Sequence, residues 1–409
     1  MDKPLAALEI TSKAAKILVG YVIDDEVIVI YADSLPLDGA VVDGEIRDFE
    51  KVTNVLKSLA NIKDESKKLK INISEVVLGL PPIGLEVYQN DKVTNVVSED
   101  SRISRIDISN VISLVKKEQI KTNDVIVDII PDVFILDRNQ IFFTPPIGQT
   151  SNSLALNAKV HTLPRSIIAG YLKVCENANL RVKRLMVTPY ALGEVLKTYR
   201  DIPDNYLLFD FGAKLTTISL MGEKSRLFAS TYLSKGGDDL TNYLADKFHI
   251  DSEVASQLKE LYGLDQSRVS PHISIVENKN TKTKIYLDDF KKEIASWLDD
   301  FVRDLKLATN TLLKEYDERY YMLPIIVVGG ASKLNGLDKY LEKQYPDNAV
   351  RIVVPTSLGA RDASYFNCLG LIKAASIYRG TLEDERIRVS PLNRKGGETR
   401  SYSELDDEL

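Results

Sequence analysis

The sequence predicts a duplicated two-domain α/β fold with a cleft between its halves, and three observations carry that prediction. A single hydrophobic core stops growing at roughly 250 to 300 residues, so a chain of 409 residues is expected to hold at least two domains. A block of three apolar strand patterns leading into a helix opens the chain at Leu5 and recurs at Tyr206. The same short pattern of strand, acid, small tight turn, lysine and strand stands in both blocks, at an offset of 201 residues. Laid over one another without a gap, the copies place Glu9 on Asp210, Thr11-Ser12 on Gly212-Ala213, Lys13 on Lys214 and Ile17 on Ile218.

The elements follow in order from hydrophobic periodicity. Runs rich in Val, Ile and Leu at Leu5–Ile10, Lys16–Ile23 and Val27–Ala32, parted by short polar turns, read as a β-meander. Phe49, Val52, Val55, Leu56, Leu59 and Ile62 recur at helical spacing, Val76–Leu80 reads as a buried strand, and Pro81-Pro82 ends the block. Between Ile83 and His161 the texture changes to alternating segments, one amphipathic helix through Ile108, Val111, Ile112 and Val115, and a long strand over Val125–Leu136. These segments carry their own apolar faces, which makes the stretch a small α+β insertion rather than a linker. A helix through Ile167, Tyr171 and Cys175, a strand at Leu185–Val187 and a helix started by Pro189 return to the first half.

The second half repeats the meander at Leu207–Phe211, Thr216–Met221 and Leu227–Leu233. Gly236-Gly237 opens a helix, and a second helix ends at Leu261-Tyr262-Gly263. Asp265–Lys284 reads as a polar loop apart from Ile273–Val276, and a long helix is expected over Asp288–Tyr320. Strand Ile325–Val328, a glycine pair, a helix, strand Val350–Val354 and a last helix over Asn367–Tyr378 complete the pattern. Beyond Arg379 periodicity stops, and the polar tail to Leu409 is expected to be disordered.

Composition excludes several function classes. With 53 basic and 59 acidic side chains the formal charge is -6, which leaves no electrostatic footprint for nucleic acid. Cys175 and Cys368 lie far apart in helix-like apolar patterns, where a free thiol behaves as a small buried hydrophobe, and this usage suits a reducing cytoplasm. Met1-Asp2-Lys3-Pro4 leads into a strand pattern rather than a signal sequence, and no segment has the roughly 18 apolar residues of a membrane span. His161, His249 and His272 lack the spacing of a metal site, and no serine-nucleophile or P-loop spacing occurs.

The paired hairpins carry the chemistry. Small residues at a hairpin tip let backbone amides approach phosphate oxygens, and successive N–H groups there form an anion-binding concavity. A neighbouring lysine adds positive charge, and Asp210 suits a magnesium ion held through water. A single copy reads sooner as an ordinary tight turn; two at matching positions of a duplicated fold favour phosphate. Gly236-Gly237-Asp238-Asp239 precedes a helix whose N-terminal amides suit a nucleotide, although Asp238 also suits a helix cap. Ile325–Val328 followed by Gly329-Gly330-Ala331-Ser332 is a buried strand ending in glycines that either lay bare backbone against an adenine ring or only permit a sharp turn.

At this point the chain resembles the superfamily of actin, sugar kinases and chaperone ATPases, and within it the bacterial cell-division family FtsA, from about Leu5 to Arg379. The most specific match is Ile129-Ile130-Pro131-Asp132-Val133-Phe134-Ile135-Leu136-Asp137 followed by Ala158-Lys159-Val160-His161. Ala255–Gly263, with Lys259, is similar to the family's helix beside adenine and ribose. The chain departs from the family at the nucleotide. Glu9 and Thr11 stand where Asp and Gly are usual, Ala213, Lys214 and Leu215 replace a glycine run followed by Thr, and Ser256 replaces a carboxylate near the ribose. Larger tips push phosphates outward, so ATP binding is expected with weakened affinity. The last residues also depart: Leu392, Tyr402, Leu405 and Leu409 form no apolar stripe, and Glu404, Asp406, Asp407 and Glu408 would be repelled by anionic lipid.

The resemblance implies an actin-like fold of two ribonuclease-H-like halves, divided as 1–82, an inserted subdomain at 83–162, a return at 163–205, the second half at 206–237, an upper insertion at 238–323, a return at 324–379 and a tail at 380–409. It implies ATP and Mg2+ in the cleft, with Glu9, Thr11, Ser12, Lys13 and Lys16 on one side of the phosphates and Asp210, Gly212, Ala213 and Lys214 on the other. Gly236, Gly237, Lys259, Gly329, Gly330 and Ala331 would surround ribose and adenine, and Asp210 would serve the metal. No residue is assigned to catalysis; turnover is at most slow, the nucleotide acting as an assembly switch. Implied partners are FtsZ, further copies of the chain in a protofilament, and membrane-side division proteins, at the inner face of the cell membrane with indirect membrane contact. Two alternatives stand beside this: a cytoplasmic scaffold of type IV pilus assembly like PilM, and a small-molecule kinase of the same superfamily, for which no carboxylate base or substrate pocket is evident.

Overall fold

The computed structural model describes residues 4–64, 69–117, 120–223, 226–264, 273–277 and 284–377. The tail beyond Arg379 and His272 therefore lie outside the described residues. The first half opens with β1 (Leu5–Ile10), β2 (Ala14–Ile23) and β3 (Glu26–Pro36), then α1 (Phe49–Ala60) and β4 (Glu75–Leu80). Asp48 caps α1 by accepting a hydrogen bond from the Lys51 amide, which offsets one of the orphan donors at a helix start.

Next comes the insertion: β5 (Glu86–Asn95), α2 (Arg105–Lys116), β6 (Asp124–Leu136), β7 (Gln140–Phe142) and β8 (Ser153–Pro164). Its antiparallel sheet runs β7-β6-β8-β5. Ile108, Val111, Ile112 and Val115 of α2 close a separate core with Ile126, Ile129, Phe134, Leu154, Leu156 and Val160. The chain returns through α3 (Arg165–Asn177), β9 (Arg181–Val187) and α4 (Thr188–Leu196), the last with proline in its first turn.

The second half contains β10 (Tyr206–Phe211), β11 (Thr216–Gly222), β12 (Arg226–Leu233), α5 (Gly237–Phe248), α6 (Ser252–Tyr262), α7 (Leu287–Leu313), β13 (Ile325–Val328), α8 (Leu337–Gln344), β14 (Val350–Ile352) and α9 (Phe366–Ser376). The two main sheets share one topology, β9-β4-β1-β2-β3 and β14-β13-β10-β11-β12. In each, the first strand pairs antiparallel with its meander neighbour and parallel with the strand that follows the helix or helices.

Alternation along β10 decides where the cores lie. Tyr206 and Leu208 face a core shared with the first half, whereas Leu207, Phe209 and Phe211 face the second half's own. The shared core is filled by α4, buried at every residue, and by α9, buried at nearly every residue. Helices this apolar all round are stable only when enclosed. Their burial between the two sheets joins the halves there and leaves the cleft at the hairpin tips.

Cys175 and Cys368 are free and buried. The long helix stops at Leu313 rather than Tyr320, because Asp317 accepts a hydrogen bond from the Arg319 amide and starts a separate 3-10 turn over Glu318–Met322. Among the described residues no helix is long and apolar enough to cross a membrane.

Candidate functional site: a cleft between two matching hairpins

The hairpin formed by β1 and β2 pairs Leu5 with Gly20 and Glu9 with Lys16; the one formed by β10 and β11 pairs Tyr206 with Met221 and Asp210 with Thr217. These registers coincide at the offset seen in the sequence. Their turns coincide as well: the Thr11 amide donates to the Ala14 carbonyl and the Gly212 amide to the Leu215 carbonyl, both at 3.0 Å. Among the described residues the amides of Ser12, Lys13, Ala213 and Lys214 take no part in these turn bonds, so each tip retains donors for an anion.

Both tips line one cavity of about 510 Å3, within the usual size range for a small-molecule site. It brings together Glu9, Thr11, Ser12, Lys13 and Lys16 from the first half with Asp210, Gly212, Ala213, Lys214, Gly237, Lys259, Gly329, Gly330 and Ala331 from the second. Gly236 lines a narrower cavity of about 80 Å3 that adjoins it, walled by Trp297, Phe301 and Leu334.

The glycines divide by what surrounds them. A Cβ on Gly329, whose φ is +93°, would come within 2.3 Å of Asp210 Oδ1, and one on Gly236 within 2.5 Å of the Gly212 carbonyl. Both are required by close approach of the hairpin tip, the β13 end and the α5 start. Gly330 differs: its Cβ would meet nothing nearer than Ser364 at 3.7 Å, which leaves bare backbone open to a ligand.

Several side chains are already engaged. Thr11 Oγ1 donates to the Ala14 carbonyl at 2.9 Å and accepts from the Ala14 amide at 3.2 Å, so its hydroxyl closes its own turn. Lys16 Nζ donates to Glu9 Oε2 at 2.9 Å and to the Ser364 carbonyl at 2.8 Å. Burial is the largest single influence and works against the Lys16 charge, but Glu9, Cys368 and Asp210 together outweigh it and hold the ammonium above its ordinary range. Lys259 Nζ donates to the Gly237 carbonyl at 2.8 Å and Thr241 Oγ1 at 2.6 Å, pinning the start of α5; burial lowers its pKa. Lys13 reaches across the cleft to Asp238 Oδ1 at 2.8 Å.

That last contact resolves the role of Asp238. Asp239, not Asp238, accepts from the Gly236 amide at 2.7 Å as the helix cap. Asp238 is thereby left to line the cleft.

Asp210 is pushed up to about 6, first by burial and next by the negative charge of Glu9, against Asn367 and Lys16. Asn367 Nδ2 donates to Glu9 Oε1 at 2.7 Å and to Asp210 Oδ2 at 3.2 Å. Periodicity missed Asn367, Ser364 and Lys333 because a polar residue beside a helix start reads as an ordinary cap or surface position. Ser256 and Glu260 lie one helical turn apart on α6 and both line the cleft, so a carboxylate does stand on that wall. The residues present fit a magnesium nucleotide in kind: open tip amides, lysines, a buried carboxylate and bare backbone at Gly330. Among the described residues no group of three or more His, Cys, Asp and Glu is placed to hold a metal ion.

No protein-family model matches the chain. Among curated proteins it is similar to the cell division protein FtsA of Streptococcus pneumoniae serotype 2, 24% identical over 371 residues that cover 90% of this chain and 79% of that protein. The FtsA of Bacillus subtilis is 22% identical over 371 residues, covering 90% and 82%. Among solved structures, the PilM-PilN type IV pilus biogenesis complex aligns with a TM-score of 0.59 at 18% identity, covering 91% of this chain and 98% of that one. MreB5 of Spiroplasma citri bound to ADP aligns with a TM-score of 0.52 at 13% identity, covering 93% and 98%. The fold is actin-like, and the similarity to FtsA runs along nine-tenths of the chain.

Proposed function

We propose that this chain, an actin-like protein of the cell-division type, binds ATP with Mg2+ in the cleft, assembles into protofilaments, and links FtsZ to membrane-side division proteins at the inner face of the membrane. The carrying observation is the pair of hairpins, one from each half and identical in register, whose tips line one cavity. A ligand gripped from both sides favours a closed hinge, and the differential affinity for closed over open sets how far the equilibrium shifts. The nucleotide thereby governs conformation and the fit of neighbouring copies.

In this reading Ser12, Lys13, Gly212, Ala213 and Lys214 hold the phosphates, Asp210 holds the ion through water, and Gly237, Gly330, Ala331, Lys259 and Gly236 surround the nucleoside. Glu9, Thr11, Lys16 and Gly329 shape the site, since their polar groups or backbone space are already engaged. Glu260 takes the ribose-side place that Ser256 cannot fill. Bound magnesium would shield the phosphate charge; the chain's own residues orient the phosphates between the halves. We divide the chain as 1–82, 83–162, 163–205, 206–237, 238–323 and 324–379, the second segment being the family's small subdomain.

Co-sedimentation of the full chain with FtsZ, with and without MgATP, tests the assignment. Pelleting with FtsZ is expected; pelleting instead with a pilus membrane-protein peptide would favour the PilM-like scaffold, and brisk ATP turnover on a sugar or acid the kinase.

A further inference from the structure

The acids of the two hairpins do not meet directly; one side chain touches both. Asn367, in the first turn of α9, donates through Nδ2 to Glu9 Oε1 at 2.7 Å and Asp210 Oδ2 at 3.2 Å. Carboxylates only accept, so the amide must present its nitrogen, and its two N–H groups match the two acids one for one. That orientation leaves Asn367 Oδ1 buried with no hydrogen-bond partner among the described residues, on a side chain that lines the cleft. A buried acceptor without a partner costs free energy unless something donates to it.

The bookkeeping of oxygens makes the acids unequal. Glu9 Oε2 is held by Lys16 at 2.9 Å and Oε1 by Asn367, so both its oxygens are engaged. Among the described residues Asp210 has only Oδ2 in a hydrogen bond, and Oδ1 lies against the side of Gly329 where no Cβ stands. Glu9 is one methylene longer than Asp210, which lets it reach Lys16 while its matching partner remains short.

We propose that Asn367 is a positioning residue: it ties the first-half acid to the second-half acid and orients Asp210 so that its Oδ1 receives the water shell of a divalent cation. Glu9 is the anchor of this arrangement rather than an ion-facing group. The inference rests on the reading of Asp210 as the acid that serves the metal.

Two variants of the full chain test it. With Asn367→Leu, which keeps the volume and removes both donors, a fluorescent ATP analogue should lose about tenfold of the affinity gained on adding magnesium, the size typical when a group orienting a metal ligand is removed. Its affinity in excess EDTA should be unchanged. Equal weakening in EDTA and magnesium, or no weakening in either, overturns the proposal. Asn367→Asp adds a third carboxylate: the nucleotide-free variant should melt below the wild type in EDTA and recover when magnesium alone is added. Absence of that recovery also overturns it. If the wild type binds no ATP analogue at all, the nucleotide reading fails, while the magnesium recovery of Asn367→Asp still decides the role of Asn367.

Discussion

At the scale of single residues, Asp210 holds its charge at a cost. An acid whose folded pKa lies above its unfolded value destabilises the fold once it ionises, so Asp210 costs nothing well below pH 4 and its full penalty above about pH 6. The difference between 3.8 and about 6 corresponds to a ceiling of about 3 kcal/mol. Asp210→Asn should therefore raise the melting temperature of the nucleotide-free protein at pH 8, with a smaller gain at pH 5, while weakening magnesium-dependent nucleotide binding. Thermal melts at the two pH values check the first effect; a lower melting temperature at pH 8 would contradict it. The Lys13–Asp238 contact is exposed enough to contribute at most about 1 kcal/mol, yet it occupies a cation that the proposed function gives to phosphate. Asp238→Asn should strengthen ATP binding a few-fold, read by titration, and weaker binding would show that Asp238 itself serves the ligand.

At the scale of elements, two junctions carry the argument. Gly370 of α9 lies so close to α4 that a Cβ would come within 2.4 Å of the Ala191 carbonyl. Backbone cannot yield as a flexible side chain does, so Gly370→Val should cost roughly 1 to 3 kcal/mol, in the range of overpacking in a close-packed core. Denaturant unfolding measures it, and a loss under 1 kcal/mol would mean that α4 and α9 separate freely at this contact. The second junction joins the inserted subdomain to the body: Arg184 Nη2 meets Asp128 Oδ2 at 3.0 Å, and Nη1 donates to the Ala374 carbonyl of α9. Removing Arg184 takes the guanidinium from a buried pair with the Asp128 carboxylate, so Arg184→Met should lose about 3 to 5 kcal/mol. Elements of this kind were legible in the sequence where periodicity was long, as in α1, α2, α7 and the six meander strands. The insertion's sheet was half legible: the run Val125–Leu136 announced β6, whereas β5 carries Gln89, Asn90, Asp91 and Lys92, which hide a strand that is solvated on one side. The end of α7 could not be read because Tyr316 and Tyr320 keep helical spacing while packing on the second core from a turn.

At the scale of the whole molecule, duplication was the readable fact and closure was not. Glu9 over Asp210 at a fixed offset announced two matching hairpins, and the structure gives them one register and one cavity. Sequence alone could not show that Asn367, more than 350 residues from Glu9, would bridge the pair, since nothing in a helix start reports what lies across a cleft. The fold also predicts a pH limit. Burial depresses His161 at the subdomain junction to about 4, with Asp128 acting against burial and Lys159 with it, so its contribution is intact above about pH 6.5 and is lost as pH falls toward 4. His161→Gln should flatten the acid side of the stability curve, measured by denaturant melts between pH 7 and pH 4.5. The central claim, that tips from both halves grip the phosphates of one nucleotide, is tested most directly by calorimetric titration of MgATP into the full chain and two charge-reversing tip variants, Ser12→Glu and Ala213→Glu. One site per chain, with affinity reduced at least about tenfold by either variant, is the predicted result; no binding by the wild type, or a loss confined to one hairpin, would contradict it.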